Sequence, residues 1–517
     1  MADYDVVVIG SGIAGLTAAG YLAKGGARVV VCEQADRVGG LFNSFRRDGF
    51  TFDGGIKALE NAGLILPTLE QLGVLDQIGL VKSPIALITR QHVQPIREQA
   101  DLEAYFAHLA ELFPAEREGL QKVLADARRI FQLLGALLSF SSLFARSPEG
   151  RVSRGAWARG NLPAFAQAPR ILGLMKRTLR DYSAERIHDP ALVNLLCDLF
   201  PEGTTAFFGL GYFGIFLDYH YPAGGMGAIP QALEQSIRAW GGEILTGARV
   251  ERITLQDGRA TGVALADGRE LRAGKVIAAG DVRRTFTQML PAGALPADYL
   301  APVLRAKPAH TVFQLFLGLD IPPEELDLQD CGHVFYAPDL EGITEDDRLT
   351  RADYFMHVPQ EISVPCLHHA DLAPAGKTGL ILSAMTKWQY GDTWGLVHGR
   401  PGEQHARLVE RCAADMLASF ELYYPDLSRH IVLRVPSTPY AVYEHSLNME
   451  GSIMGWSYDR HETWDRGGFM QIRKALTTPI PNLLLAGHWA FSPGGSPTAV
   501  LTGKLAADII LKATTDR

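Results

Sequence analysis

A glycine-rich turn close to the start of the chain constrains the fold more than any other sequence feature. Residues 6–9 form an apolar, β-branched run, which is typical of a strand buried on both faces. The turn Gly10-Ser11-Gly12-Ile13-Ala14-Gly15 follows at once, and residues 16–24 have the apolar spacing of a helix. A strand, a tight turn and a helix in this order predict the first unit of a parallel α/β sheet.

The spacing of these glycines predicts a dinucleotide-binding site. Gly10 permits the tight turn, Gly12 lets the backbone approach a diphosphate, and Gly15 lets the helix contact the strand. The N-terminus of the helix presents free N–H groups to negative charge. A second apolar strand, residues 28–32, ends in Glu33, about 20 residues beyond the glycines, where a carboxylate accepts hydrogen bonds from a ribose.

Charge and cysteine content exclude several classes of protein. The 517 residues carry 49 basic and 57 acidic side chains, a formal net charge of −8, so we expect no nucleic-acid partner. The five cysteines are scattered without a C-x-x-C pair, so neither a disulfide framework nor a zinc site is expected. Cys366, His368 and His369 lack the usual ligand spacing, and we expect no metal. The acidic N-terminus does not look like a signal peptide, which predicts a cytoplasmic protein.

Two later stretches have the composition of segments that return to the first site. Residues 221–233 form a glycine-rich loop that leads into a helix, and a run of short strands then ends at Gly280. Turns of the type Asp-Gly separate these strands, so we interpret them as a β-meander. Its predicted strands are residues 243–245, 248–254, 260–265 and 270–279.

The second returning stretch lies at the C-terminus. Residues 481–487 have the pattern of a strand that ends in Gly487, and a loop rich in Gly, Pro and Ser follows. That loop leads into a helix whose first turn contains Thr498, Ala499 and Val500 and which continues to Leu511. A helix N-terminus at this point suits the polar edge of a bound cofactor.

Further motifs indicate which dinucleotide is bound. An NAD(P) domain needs only the glycine turn and the acid, whereas this chain continues with Arg37-Val-Gly-Gly and then with Asp53-Gly-Gly. Three longer segments accompany them: YPAGGMGAIPQALEQSIRAWGGEI at 221–244, TPYAVYEHSLNMEGSIMG at 438–455 and TPIPNLLLAGHWAFSPGGSPTAVLTGKLAA at 478–507. With these motifs the chain resembles the phytoene desaturase and carotenoid isomerase branch of the FAD-dependent oxidoreductases, which lies within the flavin amine oxidase superfamily and includes retinol saturase-like enzymes.

The resemblance implies FAD as the cofactor. It does not extend over residues 81–214 and 291–430 in detail, and two positions depart from the family pattern. This chain has Gly55-Ile56-Lys57 where the family commonly has Gly-Pro after the turn, and Ser496-Pro497 replaces a more usual glycine pair. The implied FAD contacts are Gly10, Ser11, Gly12, Ile13, Ala14, Gly15, Glu33, Gln34, Arg37, Gly40, Leu41, Gly55, Val250, Gly280, Gly487, Pro497, Thr498, Ala499 and Val500.

The resemblance also implies the fold class and the domain organisation. We expect an α/β protein in which an FAD-binding Rossmann-type domain, similar to that of glutathione reductase, is interleaved with an α+β substrate domain. The FAD-binding domain is predicted to comprise residues 1–80, 215–290 and 465–517. The substrate domain is predicted to comprise residues 81–214 and 291–464.

The predicted substrate domain contains an uncharged, apolar run at residues 130–145. It is too short and too rich in hydroxyl groups to span a bilayer. Three interpretations remain: a buried core helix, the wall of an apolar substrate tunnel, or a segment that enters a membrane surface. The last would place nearby basic residues at the lipid headgroups, namely Arg128, Arg129, Arg146 and the run 176–180.

Several residues are candidates for the chemistry. Lys57 is predicted to approach the flavin N1 side, where a cation stabilises the reduced flavin. His488 and Trp489 directly follow the C-terminal strand and are the other catalytic candidates. The aromatic stretch 207–221 either belongs to the core or brings Tyr219, His220 and Tyr221 towards the flavin.

We therefore expect an enzyme that desaturates, or isomerises without net oxidation, the carbon–carbon bonds of an apolar polyene or related lipid. Two alternatives remain open. One is an amine oxidase-like enzyme acting on an amine or amino acid, and the other is a flavin-containing binding protein without turnover. The expected partner is a lipophilic small molecule, contact with a membrane surface remains open, and the sequence gives no oligomeric state.

Overall fold

Five parallel strands form the centre of the first domain. Tyr4–Ile9 pairs in parallel with Val29–Cys32 on one side and with Glu270–Ala278 on the other. Glu243–Leu245 and Leu483–Leu485 form the two edges of the parallel array. This is the Rossmann-type arrangement that the glycine turn predicted. The computed structural model describes residues 2–139, 161–338, 340–464, 467–468 and 471–515.

An antiparallel meander extends from this sheet, and its membership differs from the prediction. The prediction that Glu243–Leu245 belongs to the meander is wrong, because this strand pairs in parallel with Val29–Cys32. The Ala248 N–H donates to the Glu33 carbonyl oxygen at 2.7 Å, which keeps the chain beside the second strand until the meander begins. The strands of the meander are Val250–Gln256, Arg259–Leu265 and Glu270–Ala278.

Two helices from opposite ends of the chain pack closely against each other beside the parallel sheet. Helix Ile13–Lys24 begins at the glycine turn, and helix Ser496–Thr515 follows the C-terminal strand. A Cβ atom at Gly503 would lie 2.3 Å from the Ala14 carbonyl oxygen, so only glycine permits this separation. Helix Ala228–Ala239 packs on the first of these helices.

A second, mostly antiparallel sheet of seven strands forms the centre of the other domain. The second strand in spatial order, Thr311–Leu319, is buried at every residue, as is typical of a strand that is covered on both faces. Helix Glu403–Glu421 packs against the sheet, where the Tyr336 hydroxyl donates to the Ser419 carbonyl oxygen at 2.9 Å. The strands are, in spatial order, Ile431–Ser437, Thr311–Leu319, Thr378–Thr386, Gln360–Ser363, His333–Ala337, Ile85–Thr89 and His92–Ile96.

A group of helices with its own core completes the second domain. In helix Arg117–Ser139 the buried residues Leu120, Val123, Ala127, Ile130 and Leu133 recur every three or four positions, which gives the helix one apolar face. That face packs on helix Ala206–Ile215. The other helices of the group are Gln99–Leu112, Ala168–Leu174, Leu179–Ala184 and Pro190–Cys197.

The first part of the apolar run 130–145 is therefore core, while residues 140–145 lie outside the described residues. Within the described part of the chain, no helix combines the length and the apolar character that crossing a bilayer requires. The predicted boundaries of the domain pieces stay predictions. The remaining strands are Ser44–Arg47, Phe50–Asp53, Leu59–Glu60, Val81–Lys82 and Tyr219–Tyr221, and the remaining α-helices of four or more residues include Ile65–Gln71, Ala297–Arg305, Glu345–Leu349, Tyr354–His357, Pro439–Ser446 and Ile472–Ala475.

Replacing Gly503 by alanine tests the close contact between the two terminal helices. The new methyl group would meet the Ala14 carbonyl oxygen, so we expect Gly503→Ala to lower the free energy of unfolding by about 2 kcal/mol or more. Gly173 is the matched control, because a Cβ there meets no atom within 4 Å and alanine favours helix by ~0.5–1 kcal/mol. Urea denaturation measures both variants, and equal stability of the two would contradict the packing argument.

Candidate functional site

The carboxyl ends of the parallel strands meet at one edge of the sheet, which we call the nucleotide edge. The Gly10 N–H donates to the Cys32 carbonyl oxygen at 2.8 Å, and the Ala279 N–H donates to the Ile9 carbonyl oxygen at 2.9 Å. The Ala486 N–H donates to the Ala278 carbonyl oxygen, also at 2.9 Å. Three distant parts of the chain are thereby joined where open α/β sheets bind their ligands. Gly10, Glu33, Gly280 and Gly487 all lie at this edge.

The glycine turn leaves space in front of the first helix. A Cβ at Gly15 would lie 2.0 Å from the Gly10 carbonyl oxygen, so a side chain is not tolerated there. A Cβ at Gly12 would meet no atom within 4 Å, so the space beyond it is open. No side chain caps the helix at this residue, and its first N–H groups therefore face that space. This arrangement fits the diphosphate of a dinucleotide.

Glu33 fixes the shape of the turn. Its Oε2 atom accepts hydrogen bonds from the Ser11 N–H at 2.8 Å and from the Ser11 hydroxyl at 2.7 Å, and its Oε1 accepts from the Ala35 N–H at 2.9 Å. The Glu33 backbone binds Ala248, and this contact brings the strand that begins at Val250 beside the acid. The placement fits the ribose contact predicted for Glu33 and the FAD contact that the resemblance implied for Val250.

The segment with the Arg-x-Gly-Gly pattern crosses the glycine turn. The Gly39 N–H donates to the Ser11 carbonyl oxygen at 3.0 Å. Gly40 has a φ of +58°, and a Cβ there would lie 3.2 Å from the Gly12 Cα, so both the conformation and the close approach favour glycine. The side chain of Arg37 remains 59% exposed, and its contact with a diphosphate stays a prediction.

A buried carboxylate joins the next part of this segment to the first returning loop. Asp53 accepts hydrogen bonds from the Ser44 hydroxyl at 2.6 Å, the Tyr221 hydroxyl at 2.5 Å and the Met226 N–H at 2.8 Å. Burial raises the pKa of Asp53 to about 6, although the three donors oppose the shift. We call these four residues the Asp53 cluster, which sequence reasoning did not identify. An acid at the end of an otherwise apolar strand, directly before two glycines, was the available signal.

The glycine turn after Asp53 packs on Leu41. A Cβ at Gly55 would lie 2.0 Å from the Leu41 carbonyl oxygen, which also accepts the Ile56 N–H at 3.0 Å. His445 provides a further contact that the sequence did not predict, because its Nε2 lies 2.9 Å from the Gly40 carbonyl oxygen. Since a carbonyl can only accept, this nitrogen carries the proton. The Gln34 amide donates to the His445 carbonyl oxygen at 3.4 Å.

The C-terminal loop approaches the nucleotide edge with an unsatisfied polar group. The Ser496 hydroxyl is buried at the start of helix Ser496–Thr515, and it has no hydrogen-bond partner among the described residues. The Thr502 hydroxyl, one turn further, accepts the Gly487 N–H at 2.9 Å. An orphaned hydroxyl and a helix N-terminus fit a polar edge of the flavin. Pro497, Thr498, Ala499 and Val500 form the first turns of this helix.

His488 and Trp489 lie inside the protein. Burial lowers the pKa of His488 to about 4, so its imidazole is neutral near pH 7. The Trp489 indole N–H donates to the Asn448 side-chain oxygen at 2.9 Å, and the Trp489 carbonyl oxygen accepts the Trp456 indole N–H at 2.7 Å. These bonds give Trp489 a packing role, and catalytic roles for both residues stay predictions.

Lys57 is buried, and its positive charge is paired with a carboxylate of the other domain. Its ammonium lies 3.3 Å from the Gly55 carbonyl oxygen and 3.2 Å from a carboxylate oxygen of Glu361, on a strand of the second sheet. Burial raises the pKa of Glu361, but Lys57 and His333 outweigh it, and the carboxyl remains below its ordinary value. No local sequence pattern signals this pair. The approach of Lys57 to the flavin stays a prediction.

A second carboxyl nearby has the opposite environment. Glu60 lies on a short strand that pairs with Tyr219–Tyr221, and the hydroxyls of Tyr212 and Tyr219, 2.6 Å apart, lie close to its carboxyl. Burial raises the pKa of Glu60 to about 7 because the two hydroxyls offset desolvation only in part. Of the three aromatic residues predicted to approach the flavin, Tyr221 thus binds Asp53 and Tyr219 faces Glu60.

This fold and this edge define an FAD-binding oxidoreductase of the Rossmann type. The chain belongs to the flavin containing amine oxidoreductase family, whose sequence model matches residues 13–511. FAD is therefore its cofactor, and the open space at Gly12, the sterically required Gly15 and Gly55, and the orphaned Ser496 hydroxyl fit that group.

Curated relatives cover most of the chain. It is 27% identical over 468 residues to prolycopene isomerase 1 of an Oncidium hybrid cultivar, which covers 84% of this chain and 73% of the relative. It is 28% identical over 527 residues to the 4,4'-diapolycopene oxygenase of Methylomonas sp, with 98% of each chain covered. It is 26% identical over 537 residues to the lycopene-forming phytoene desaturase of Pseudescherichia vulneris, covering 98% of this chain and 99% of the relative.

Solved structures share the fold. An oxidoreductase from Methanosarcina mazei matches with a TM-score of 0.61 and 17% identity over 99% of this chain and 100% of the other. An engineered triple mutant of putrescine oxidase matches with a TM-score of 0.61 and 16% identity over 99% of both chains. At these identities the likeness establishes the fold alone. The predicted fold class and FAD cofactor are confirmed.

Removing the charge at Asp53 tests the role of the Asp53 cluster. An asparagine has one acceptor oxygen for three donors, so we expect Asp53→Asn to weaken FAD binding by about tenfold to a hundredfold, or ~1.4–2.8 kcal/mol. Asp267→Asn is the control, because Asp267 accepts bonds only in an exposed turn. Flavin fluorescence titration measures both constants, and unchanged FAD affinity in Asp53→Asn would contradict the role.

Proposed function

We propose that the protein acts on carbon–carbon bonds of an apolar polyene, by desaturation or by isomerisation without net oxidation. The prolycopene isomerase and phytoene desaturase relatives support this substrate class. The family alone does not choose it, because the family also gives amine oxidation as the alternative.

The observation that carries the proposal is a row of aromatic rings, which we call the aromatic wall. The row begins at the C-terminal loop that approaches the nucleotide edge. The Tyr458 hydroxyl donates to the Gly494 carbonyl oxygen at 3.2 Å, in the loop before the last helix. From Tyr458 the rings continue to Phe208 at 5.9 Å, to Tyr212 at 5.9 Å and to Phe200 at 5.2 Å between centroids. Aromatic faces offer a long apolar surface that suits a conjugated chain.

Different residues hold the cofactor, position the substrate and balance the charge at this site. When bound, FAD supplies hydride acceptance or donation. The glycine turn, Glu33 and the Asp53 cluster hold and orient the cofactor, and the aromatic wall positions the polyene and excludes water. The Lys57–Glu361 pair keeps the region beside Gly55 electrically balanced. Buried, neutral His488 adds no charge there.

The test combines substrate conversion with a variant of the aromatic wall. Purified protein with FAD is incubated with phytoene and an added quinone as electron acceptor, with a poly-cis lycopene after reduction of the flavin, and, separately, with putrescine under anaerobic conditions. We expect chromatography to show conversion of one polyene and the flavin absorbance to persist with putrescine. Phe208→Ala should lower kcat/KM for the polyene by about tenfold, from the lost apolar contact.

Phe113→Ala is the matched control, since Phe113 is also partly buried in the helical group. We expect its kcat/KM to stay close to that of the unmodified protein. Flavin bleaching by putrescine without conversion of either polyene would overturn the proposal in favour of amine oxidation. A flavin that no donor reduces, with no polyene converted, would instead favour a binding protein without turnover.

We further propose that the protein is cytoplasmic and that it binds its lipophilic substrate at a membrane surface, which it contacts through apolar side chains. Leu162, Leu172 and Met175 are exposed by 62%, 55% and 41%. Four of the basic residues that the sequence suggested for this contact have acidic partners instead, while Lys176 is exposed: Arg128 pairs with Glu103, Arg129 with Asp126, Arg177 with Glu185 and Arg180 with Asp198. Attraction to anionic lipid is therefore a minor contribution, and Arg146 lies outside the described residues.

Vesicle sedimentation tests this surface. We expect binding to phosphatidylcholine vesicles that changes little with salt or with added anionic lipid. The double variant Leu172→Glu and Met175→Glu should weaken binding about tenfold or more, because two apolar side chains are lost from the lipid contact. Leu422→Glu with Val432→Glu is the control, since these residues are exposed by 51% and 52% elsewhere. Equal binding of both double variants would contradict the proposal.

A further inference from the structure

Glu60 ends the short strand Leu59–Glu60, which pairs with Tyr219–Tyr221. It lies three residues after Lys57, whose ammonium approaches Gly55 at the flavin turn. Glu60 is the strand partner of Tyr219, whose hydroxyl lies 2.6 Å from the hydroxyl of Tyr212 in the aromatic wall. Glu60 and Tyr458 also influence each other, since burial and the Glu60 charge both raise the pKa of Tyr458. The carboxyl therefore lies beside the surface along which we propose that the polyene binds.

The surroundings of Glu60 favour an uncharged carboxyl. Burial is the main influence on its pKa, the hydroxyls of Tyr212 and Tyr219 oppose it, and the carboxylate of Glu361 adds to it. Burial also raises the pKa of both tyrosines, so their hydroxyls keep their protons. With a pKa of about 7, Glu60 is present both as an acid and as a base near neutral pH. The titratable groups that face it are Tyr212, Tyr219, Tyr458 and Glu361.

Resting on the polyene function, we propose that Glu60 is a catalytic acid and base that adds a proton to a carbon of the bound polyene and takes a proton back. The O–H bond of Glu60 breaks, and the electron pair of a polyene double bond forms the new C–H bond. The positive charge spreads over the remaining double bonds, and rotation occurs about the bond that has become single. Return of a proton to the Glu60 carboxylate restores the double bond, so no oxidant or reductant is consumed.

The aromatic wall supports this step. The faces of aromatic rings attract cations, and they do so more strongly where water is excluded. The rings of Tyr212, Phe208 and Tyr458, with Phe200 beside Tyr212, form a row between the Tyr212–Tyr219 hydroxyl pair and Gly494 and can stabilise a delocalised cation along it. The Tyr212 and Tyr219 hydroxyls orient the carboxyl and stabilise it when it has given up its proton. These tyrosines are positioning residues.

Deuterium incorporation tests the proton transfer. The protein with FAD is incubated with poly-cis lycopene in D2O, and mass spectrometry measures deuterium in the recovered polyene. We expect exchange in the unmodified protein and at least a hundredfold slower exchange in Glu60→Gln, which keeps the shape but cannot deliver a proton. Tyr219→Phe should slow exchange less. Glu116→Gln is the control, because this buried carboxylate only accepts the backbone N–H groups of His188 and Asp189, which an amide oxygen also does.

Two measurements separate a chemical role from a structural one. Infrared difference spectra between pH 6 and 8 should show the carbonyl stretch of a protonated carboxyl that disappears in Glu60→Gln while FAD content is unchanged. Exchange should fall as the pH rises through the pKa of Glu60, about 7, because the acid form is lost. Isomerisation without deuterium uptake, or full exchange in Glu60→Gln, would overturn the inference and leave the polyene function intact. Absence of any polyene conversion would remove both.

Discussion

The carboxylate of Asp53 is the interaction on which the rest of the site depends. Its three donors come from the Arg-x-Gly-Gly segment, through Ser44, and from the returning loop, through Tyr221 and Met226. A buried carboxylate is tolerated only when its hydrogen bonds are complete, so neither segment can move away without leaving it unpaired. The FAD-binding domain is therefore held together although its parts are far apart in the chain. The loop at Gly225–Gly227 also contacts Ser44 directly, because the Ser44 hydroxyl accepts the Gly227 N–H at 2.8 Å.

Local geometry explains which parts of this protein the sequence predicts. The glycine turn and Glu33 act through residues close together in the chain, and the structure places each where the motif requires. The strand Glu243–Leu245 was assigned to the wrong neighbours because a run of three residues specifies an extended backbone but not its partner. The Lys57–Glu361 pair joins residues 304 positions apart, and only the folded sheets bring them together.

The pairing of charged side chains was also not predictable from the sequence. The basic residues near 128 and 177 suggested attraction to lipid headgroups, yet Asp126 is buried and lies within 4.0 Å of Arg129, Arg170 and Arg186. Such pairing is invisible in composition, because net charge sums the residues without their neighbours. The exposed apolar side chains on this surface would bind a membrane by the hydrophobic effect. That interaction does not depend on the negative charge of the membrane.

Glu60 and Glu361 show how two carboxyls that influence each other can keep a fixed charge and a movable proton. Glu361 has Lys57 as its partner and stays ionised, whereas burial and the charge of Glu361 raise the pKa of Glu60 to about 7 and the hydroxyls beside it oppose the rise. Environments that shift the pKa values of two carboxyl groups in opposite directions give the two groups different roles. A charge fixed beside Gly55 leaves the electrostatics there constant while Glu60 gains or loses its proton. Proton transfer at the polyene and charge balance beside Gly55 are thereby separated, and the two carboxyls lie on strands of different sheets, Leu59–Glu60 and Gln360–Ser363.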